Sequence, residues 1–205
     1  IERDDVVGIA KELRPQIVAC SAITGSHKQY LDALASIKAA LPETFTILGG
    51  PYCSTFPESI VQNSSLDAIG IMECDEAWPA FLDAFEGEGD VHQVPNILTQ
   101  QNASTRLVKD PSNGQTLARP DSYNDRFSAL DSLPYLDRAL VYDTTAFHDR
   151  PKRTHMASRG CPFRCQYCFE QDWNQMFQGK GKLLQRYSVD RLLDEVESVG
   201  EQYDT

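Results

Sequence analysis

The sequence predicts an α/β fold: a Rossmann-like parallel sheet with helices on both faces, followed by a linker and the first βα unit of a partial (β/α) barrel. Three observations carry that expectation. Short apolar runs alternate with stretches of helical periodicity over the first 90 residues, joined by the brief connections typical of βα units. The net charge of -11 is uneven, with 5 basic and 15 acidic side chains in residues 1–100 against 14 and 15 in 101–205, so the halves look like different modules. Three of the six cysteines fall between Cys161 and Cys168. The expected boundaries are 1–90 for the sheet domain, 91–153 for a linker with a small β excursion, and 154–205 for the start of the barrel.

Asp4 to Leu13 sets Val6, Val7, Ile9, Ala10 and Leu13 at helical spacing, and Pro15 ends that helix. Gln16–Ser21 is a short β-rich run suited to a buried parallel strand. A loop leads into a second helix from His27 to Leu41, with Tyr30, Leu31, Leu34 and Ile37 on its apolar stripe and Pro42 at its end. Phe45–Leu48 is the next strand and runs into Gly49-Gly50-Pro51. A short helix near Pro57–Gln62, a strand at Ala68–Met72 and a helix over Asp75–Phe85 follow, closed by the acidic 86–90 turn. Within 91–153, segments 96–101 and 105–108 are expected to pair, and Pro111-Ser-Asn-Gly114 is a turn. His155–Arg159 is strand-like, and Ser188 caps a final helix carrying Leu192, Leu193, Val196 and Val199. A chain that opens on Ile1 and a helix is expected to lack the start of its sheet domain.

Hydrophobic residues make up 41% and charged residues 24%, values that exclude collagen, coiled coil and wholesale disorder. No apolar run approaches the ~20 residues of a membrane span, and a cytoplasmic location is expected. The acidic front half would repel phosphate backbones, which argues against a nucleic-acid partner.

Cys20, Cys53 and Cys74 are scattered and expected to be free thiols, whereas Cys161, Cys165 and Cys168 form a Cys-x-x-x-Cys-x-x-Cys loop. Three thiolates on one loop can hold three irons of a cubane and leave the fourth open to a substrate or cofactor. A structural zinc site would want a fourth ligand, for which His148 and His155 are near but at no zinc-finger spacing, so zinc completed by His155 stays as an alternative. Arg159 and Arg164 are placed to offset a cluster's negative charge.

The stretch Arg159-Gly-Cys-Pro-Phe-Arg-Cys-Gln-Tyr-Cys-Phe169 closely resembles the signature of the radical S-adenosylmethionine superfamily. That resemblance implies that Cys161, Cys165 and Cys168 hold a 4Fe-4S cluster, that S-adenosylmethionine chelates the open iron, and that Tyr167 lies near the adenine. The front half, through Ser21-x-x-Thr24, Gly49-Gly-Pro-Tyr-Cys-Ser-Thr-Phe-Pro-Glu58 and Glu73-x-Asp-Glu76, looks like the cobalamin-binding domain of one large subfamily. It implies cobalamin contacts at Ser21, Thr24, Gly49, Gly50 and Glu73. The Asp-x-His-x-x-Gly motif of many such domains is absent, and Met72-Glu-Cys-Asp-Glu76 keeps the acids of the usual glycine-rich sequence but not the glycines. Without the resemblance, Gly49-Gly50-Pro51 is a tight turn, and Glu73, Asp75 and Glu76 an acidic cluster suited to a helix amino terminus.

Together the resemblances imply a cobalamin-dependent radical enzyme that transfers a methyl group or performs an oxidation or cyclisation. Its expected partners are a small-molecule substrate and an electron donor such as flavodoxin or ferredoxin. Alone, the chain is expected to be inactive. A non-catalytic cobalamin- or zinc-binding module is the alternative.

Overall fold

The structure, a computed structural model, describes residues 5–145, 147 and 152–203. His148 lies outside them. Helix α1 (Val6–Leu13) begins where the Asp5 carboxylate accepts from the Gly8 amide at 2.8 Å, and it ends at Arg14 in a left-handed conformation before Pro15. Strand β1 (Ile17–Ser21), helix α2 (His27–Ala40) and strand β2 (Phe45–Gly49) follow within a residue or two of expectation. Two short helices, α3 (Pro51–Thr55) and α4 (Ser59–Gln62), stand where one was expected. Strand β3 (Ala68–Gly70) then leads to α5 (Ala77–Asp83), which runs into a π turn at Ala84–Glu88.

The three strands are parallel in the order β1-β2-β3, in register Ile47 to Ala68 and Ala19 to Ile47. A fourth strand, β4 (Ile97–Thr99), pairs antiparallel with β3, Ile69 opposite Leu98. The sheet is therefore mixed, and it takes its edge strand from beyond residue 90. The expected pairing of 96–101 with 105–108 does not form. Instead a short helix α6 (Ala103–Arg106) turns the chain into a separate hairpin, β5 (Leu107–Lys109) with β6 (Thr116–Ala118), around the Pro111–Gly114 turn. Ile97 and Leu98 bury against the sheet and have a stronger claim on β3 than on the half-exposed Val108.

Strand alternation separates two cores. Leu48, Ile69 and Leu98 face α2, α3 and α4 through Leu34, Cys53 and Ile60. Ile47, Ala68 and Ile97 face α5 through Ala77 and Phe81, with Phe45 and Phe85 closing the aromatic stack. Helices thus cover both faces, as parallel strands require. Helix α1 packs on α2 and buries only Ala10 of its expected stripe, leaving Val6, Ile9 and Leu13 exposed.

A linker carrying helix α7 (Ala139–Tyr142) leads to β7 (Ser158–Arg159), the cysteine loop, and α8 (Glu170–Met176). Strand β8 (Gln185–Arg186) pairs antiparallel with β7, and α9 (Val189–Tyr203) follows, its Arg191 amide capped by the Ser188 hydroxyl at 3.2 Å. The linker straps across α9. Asp131 accepts from the Ser188 amide at 2.9 Å, Arg191 donates to the Leu133 carbonyl at 2.7 Å, and Arg138 pairs with Glu195 at 2.7 Å. Among the described residues no helix is long and apolar enough to cross a membrane.

Candidate functional site

The carboxyl ends of the parallel strands meet the cysteine loop. Ser21 ends β1, exposed, and the next two backbone groups tie this edge to β2: the Ala22 amide donates to the Gly49 carbonyl at 3.0 Å, and the Tyr52 amide to the Ala22 carbonyl at 3.1 Å. Gly50 has φ +91°, and a Cβ there would meet the Ala22 carbonyl at 2.6 Å and Ser21 Oγ at 2.7 Å. Close approach of the chain to itself therefore already requires glycine at this position. Gly49 has room for a side chain. Thr24 is exposed in the following turn. His27 stacks on Tyr52 with ring centroids 4.1 Å apart.

The loop after β3 is held from three sides. Met72, at φ +60°, donates its amide to Ser54 Oγ at 2.8 Å, and the buried Asn96 donates from Nδ2 to the carbonyls of Ile71 and Glu73. Glu73 and Asp75 then face two arginines, which corrects the expectation of a helix-terminal acidic cluster. Glu73 Oε1 accepts from Arg126 Nε at 3.1 Å and Nη2 at 3.0 Å, and its Oε2 accepts from the Phe127 amide. Asp75 takes both amino groups of Arg159 at 2.6 and 3.0 Å. This bidentate pairing raises the Arg159 guanidinium above its ordinary pKa. Arg159, expected to offset the charge of a cluster, is committed to Asp75.

Arg126, in the linker, carried no signal in sequence. Its side chain is 2% exposed and that of Glu73 12%. Its guanidinium also donates to the Leu183 carbonyl at 2.8 Å and lies 5.0 Å from the centroid of the Phe177 ring, while its amide donates to the Lys180 carbonyl. One residue thus fastens the sheet edge to the segment leading into β8.

The cysteine loop leaves β7 through Gly160, at φ +85°. The Cys161 carbonyl accepts from Asn174 Nδ2 at 2.9 Å, and the Cys168 amide donates to the Cys165 carbonyl at 3.0 Å. All six cysteines are free; Cys165 is exposed and its two neighbours in the motif half-buried. The three thiols share one short loop, but among the described residues no group of three Cys, His, Asp or Glu side chains converges at metal-binding distance. Tyr167 is 93% exposed and Phe163 69%. As a donor set, three cysteine sulfurs on one short loop suit iron–sulfur ligation.

Between these parts lies a cleft of about 960 Å³. Ser21, Pro51, Glu73 and Trp78 form its sheet-side wall, and Gly160, Phe169, Glu170 and Trp173 its loop-side wall. Of the cobalamin contacts expected from sequence, Ser21 and Glu73 reach the cleft, as do Asp75 and Arg159. Thr24, Gly49, Gly50 and Tyr167 do not line it, and the three cysteines sit beside it on the loop.

The scattered thiols contrast with the loop. Burial pushes the Cys53 thiol up to about 12 and the Cys74 thiol up to about 11, and it raises Cys20 as well. Iodoacetamide at pH 8 is therefore expected to modify Cys165 first in the native, metal-free protein and to leave Cys53 unmodified until the fold opens. Peptide mass spectrometry after timed quenching reads this. Equal labelling of Cys53 and Cys165 would contradict the packing described.

No family model matches the chain. Curated proteins do. It is 22% identical over 221 residues to the cytidylyl-2-hydroxyethylphosphonate methyltransferase of Streptomyces wedmorensis, covering 98% of this chain and 40% of that protein. It is 24% identical over 216 residues to the anaerobic magnesium-protoporphyrin IX monomethyl ester cyclase of Rubrivivax gelatinosus, covering 100% and 34%. Among solved structures, the radical S-adenosylmethionine methyltransferase TsrM of Kitasatospora setae, with cobalamin and a [4Fe-4S] cluster bound, superposes with a TM-score of 0.59 at 16% identity, over 98% of this chain and 38% of that one. The chain is thus similar in sequence to methyltransferases and a cyclase, and in fold to a radical S-adenosylmethionine methyltransferase. It spans about a third to two fifths of the length of these relatives. The α/β architecture expected from sequence is the one this radical enzyme has in the matched region.

Proposed function

We propose that this chain forms the cofactor-binding front of a cobalamin-dependent radical S-adenosylmethionine enzyme, a methyltransferase or oxidative cyclase acting on a small molecule. The observation that carries it is the cleft, which sets the carboxyl edge of a Rossmann-like sheet against the cysteine loop. Its mostly apolar walls, with Trp78, Phe169 and Trp173, suit a broad flat ligand such as a corrin, and Ser21 offers a hydroxyl at the rim. Cys161, Cys165 and Cys168 would hold the 4Fe-4S cluster, and Tyr167, exposed beside them, remains free to meet the adenine of S-adenosylmethionine.

When bound, the cluster would supply the electron for reductive cleavage of S-adenosylmethionine, and in the transfer case the cobalamin would supply the methyl group. The protein's part is positional. The Asp75–Arg159 and Glu73–Arg126 pairs fasten the loop to the sheet edge, so the two cofactor sites stay in fixed register. Glu73 serves that register through Arg126 and the Phe127 amide. A flavodoxin or ferredoxin as electron donor and a cytoplasmic setting complete the proposal.

Anaerobic reconstitution with iron and sulfide, followed by metal analysis and addition of hydroxocobalamin, tests it. About four irons per chain are expected, falling to a small fraction of that in Cys165→Ala, with cobalamin retained on gel filtration. Zinc without iron would overturn the radical assignment.

A further inference from the structure

A second cavity, of about 470 Å³, lies on the other side of α8 from the cofactor cleft. The two share no residue. Helix α8 divides them because its faces diverge: Glu170 and Trp173 line the cleft, whereas Asp172, Gln175 and Met176 line the cavity. The opposite wall is the β5–β6 hairpin, and Ile71 and Met72, just past the end of β3, lie between them. Open α/β sheets take their ligands at that carboxyl edge.

Strand register builds the hairpin wall. Val108 stands directly opposite Leu117, so both side chains leave the ribbon on one face. Their neighbours Leu107 and Ala118 pack on the first core. Val108 and Leu117 are left to line the cavity, with Val108 still 42% exposed, and Met176 stands across the space from them. Such a wall suits a ligand with an apolar body.

The polar lining decides the charge. Asp110 and Asp172 both line the cavity, and among the described residues neither has an ion-pair partner. Asp110 accepts from the Ser112 hydroxyl at 2.6 Å and the Ser112 amide at 2.8 Å, bonds that lower its pKa and keep it ionised. The cation of the lining, Lys180, is engaged elsewhere, donating to the Tyr123 carbonyl at 2.9 Å and to Asp125 at 3.5 Å. Two carboxylates facing a space with no uncommitted cation repel an anion and favour a positive charge.

We propose that this cavity is a second small-molecule site, which takes an organic ammonium ion with an apolar body. The body packs against Val108, Leu117 and Met176, and the ammonium is directed to Asp172. The site stands apart from the cofactor assignment.

Three probes with one body and different charge test it: 2-phenylethylamine, 2-phenylethanol and phenylacetate. Each is titrated into the chain and followed by ligand-observed NMR. The amine is expected to bind about tenfold more tightly than the alcohol, with phenylacetate weaker still, and Asp172→Asn should bring amine and alcohol within about threefold of each other. Leu117→Trp fills the cavity and should abolish amine binding. If its far-UV spectrum departs from the parent's, Gln175→Trp, at an exposed position on the facing helix, replaces it. The inference is overturned by phenylacetate binding as tightly as the amine, by amine binding that survives the tryptophan, by an amine preference that survives Asp172→Asn, or by no binding of any probe. None of these results bears on iron or cobalamin loading, which test the cofactor assignment separately.

Discussion

Replacing Arg126 with Met is expected to destabilise the protein by about 3–5 kcal/mol, because it leaves the Glu73 carboxylate buried without its cation. The same change strips the Leu183 carbonyl of its donor and removes the cation from the Phe177 ring. Glu73→Gln should cost less, since Arg126 keeps its carbonyl and ring partners and the amide oxygen can still accept. The double variant should recover part of the loss, giving a coupling energy above about 1 kcal/mol in a double-mutant cycle by urea denaturation. A cost under about 1 kcal/mol for Arg126→Met would mean the pair is solvated and not the fastening described. The linker is then where a mutation with no cofactor contact would most disturb the alignment of sheet edge and cysteine loop.

Gly160→Ala is expected to be worse for the metal than for the sheet domain. A Cβ at this position would stand 2.0 Å from the Leu183 carbonyl oxygen, on a backbone already at φ +85°. Backbone cannot yield as a side-chain tip can, so β7 and β8 must separate and carry Cys161 with them. The expected result is loss of most reconstituted iron and a cost well above about 2 kcal/mol in the barrel segment. Gly179→Ala is the control, with φ +79° and nothing within 4 Å of an added Cβ. It pays only the left-handed backbone, about 1–2 kcal/mol, and should keep its iron. Iron per chain and far-UV melting separate the two, and equal iron in both variants would show that the loop does not depend on this contact.

Much of the sheet domain was legible because its signals are local. Ile17–Ser21 and Phe45–Gly49 are apolar runs bounded by Pro15, Pro42 and Gly50, and α2 carries a clean 3.6-residue stripe. Strand β4 pairs with β3 and not with 105–108, because Ile97-Leu98-Thr99 carries no mark in sequence of which edge it will join. That choice belongs to the area each edge buries. Helix α8 has no apolar periodicity in sequence because 170–176 is polar, and its helicity is supported by packing of Trp173 and Met176 on the first core.

The candidate site divides in the same way. Cysteine spacing is a property of the chain, so the expectation that Cys161, Cys165 and Cys168 hold a cluster is legible in sequence alone. The ion pairs were not. Glu73 with Arg126 spans 53 positions and Asp75 with Arg159 spans 84, and no periodicity links residues that far apart. In sequence Glu73 and Asp75 form an acidic run before a helix, and only in the folded chain does each meet a guanidinium.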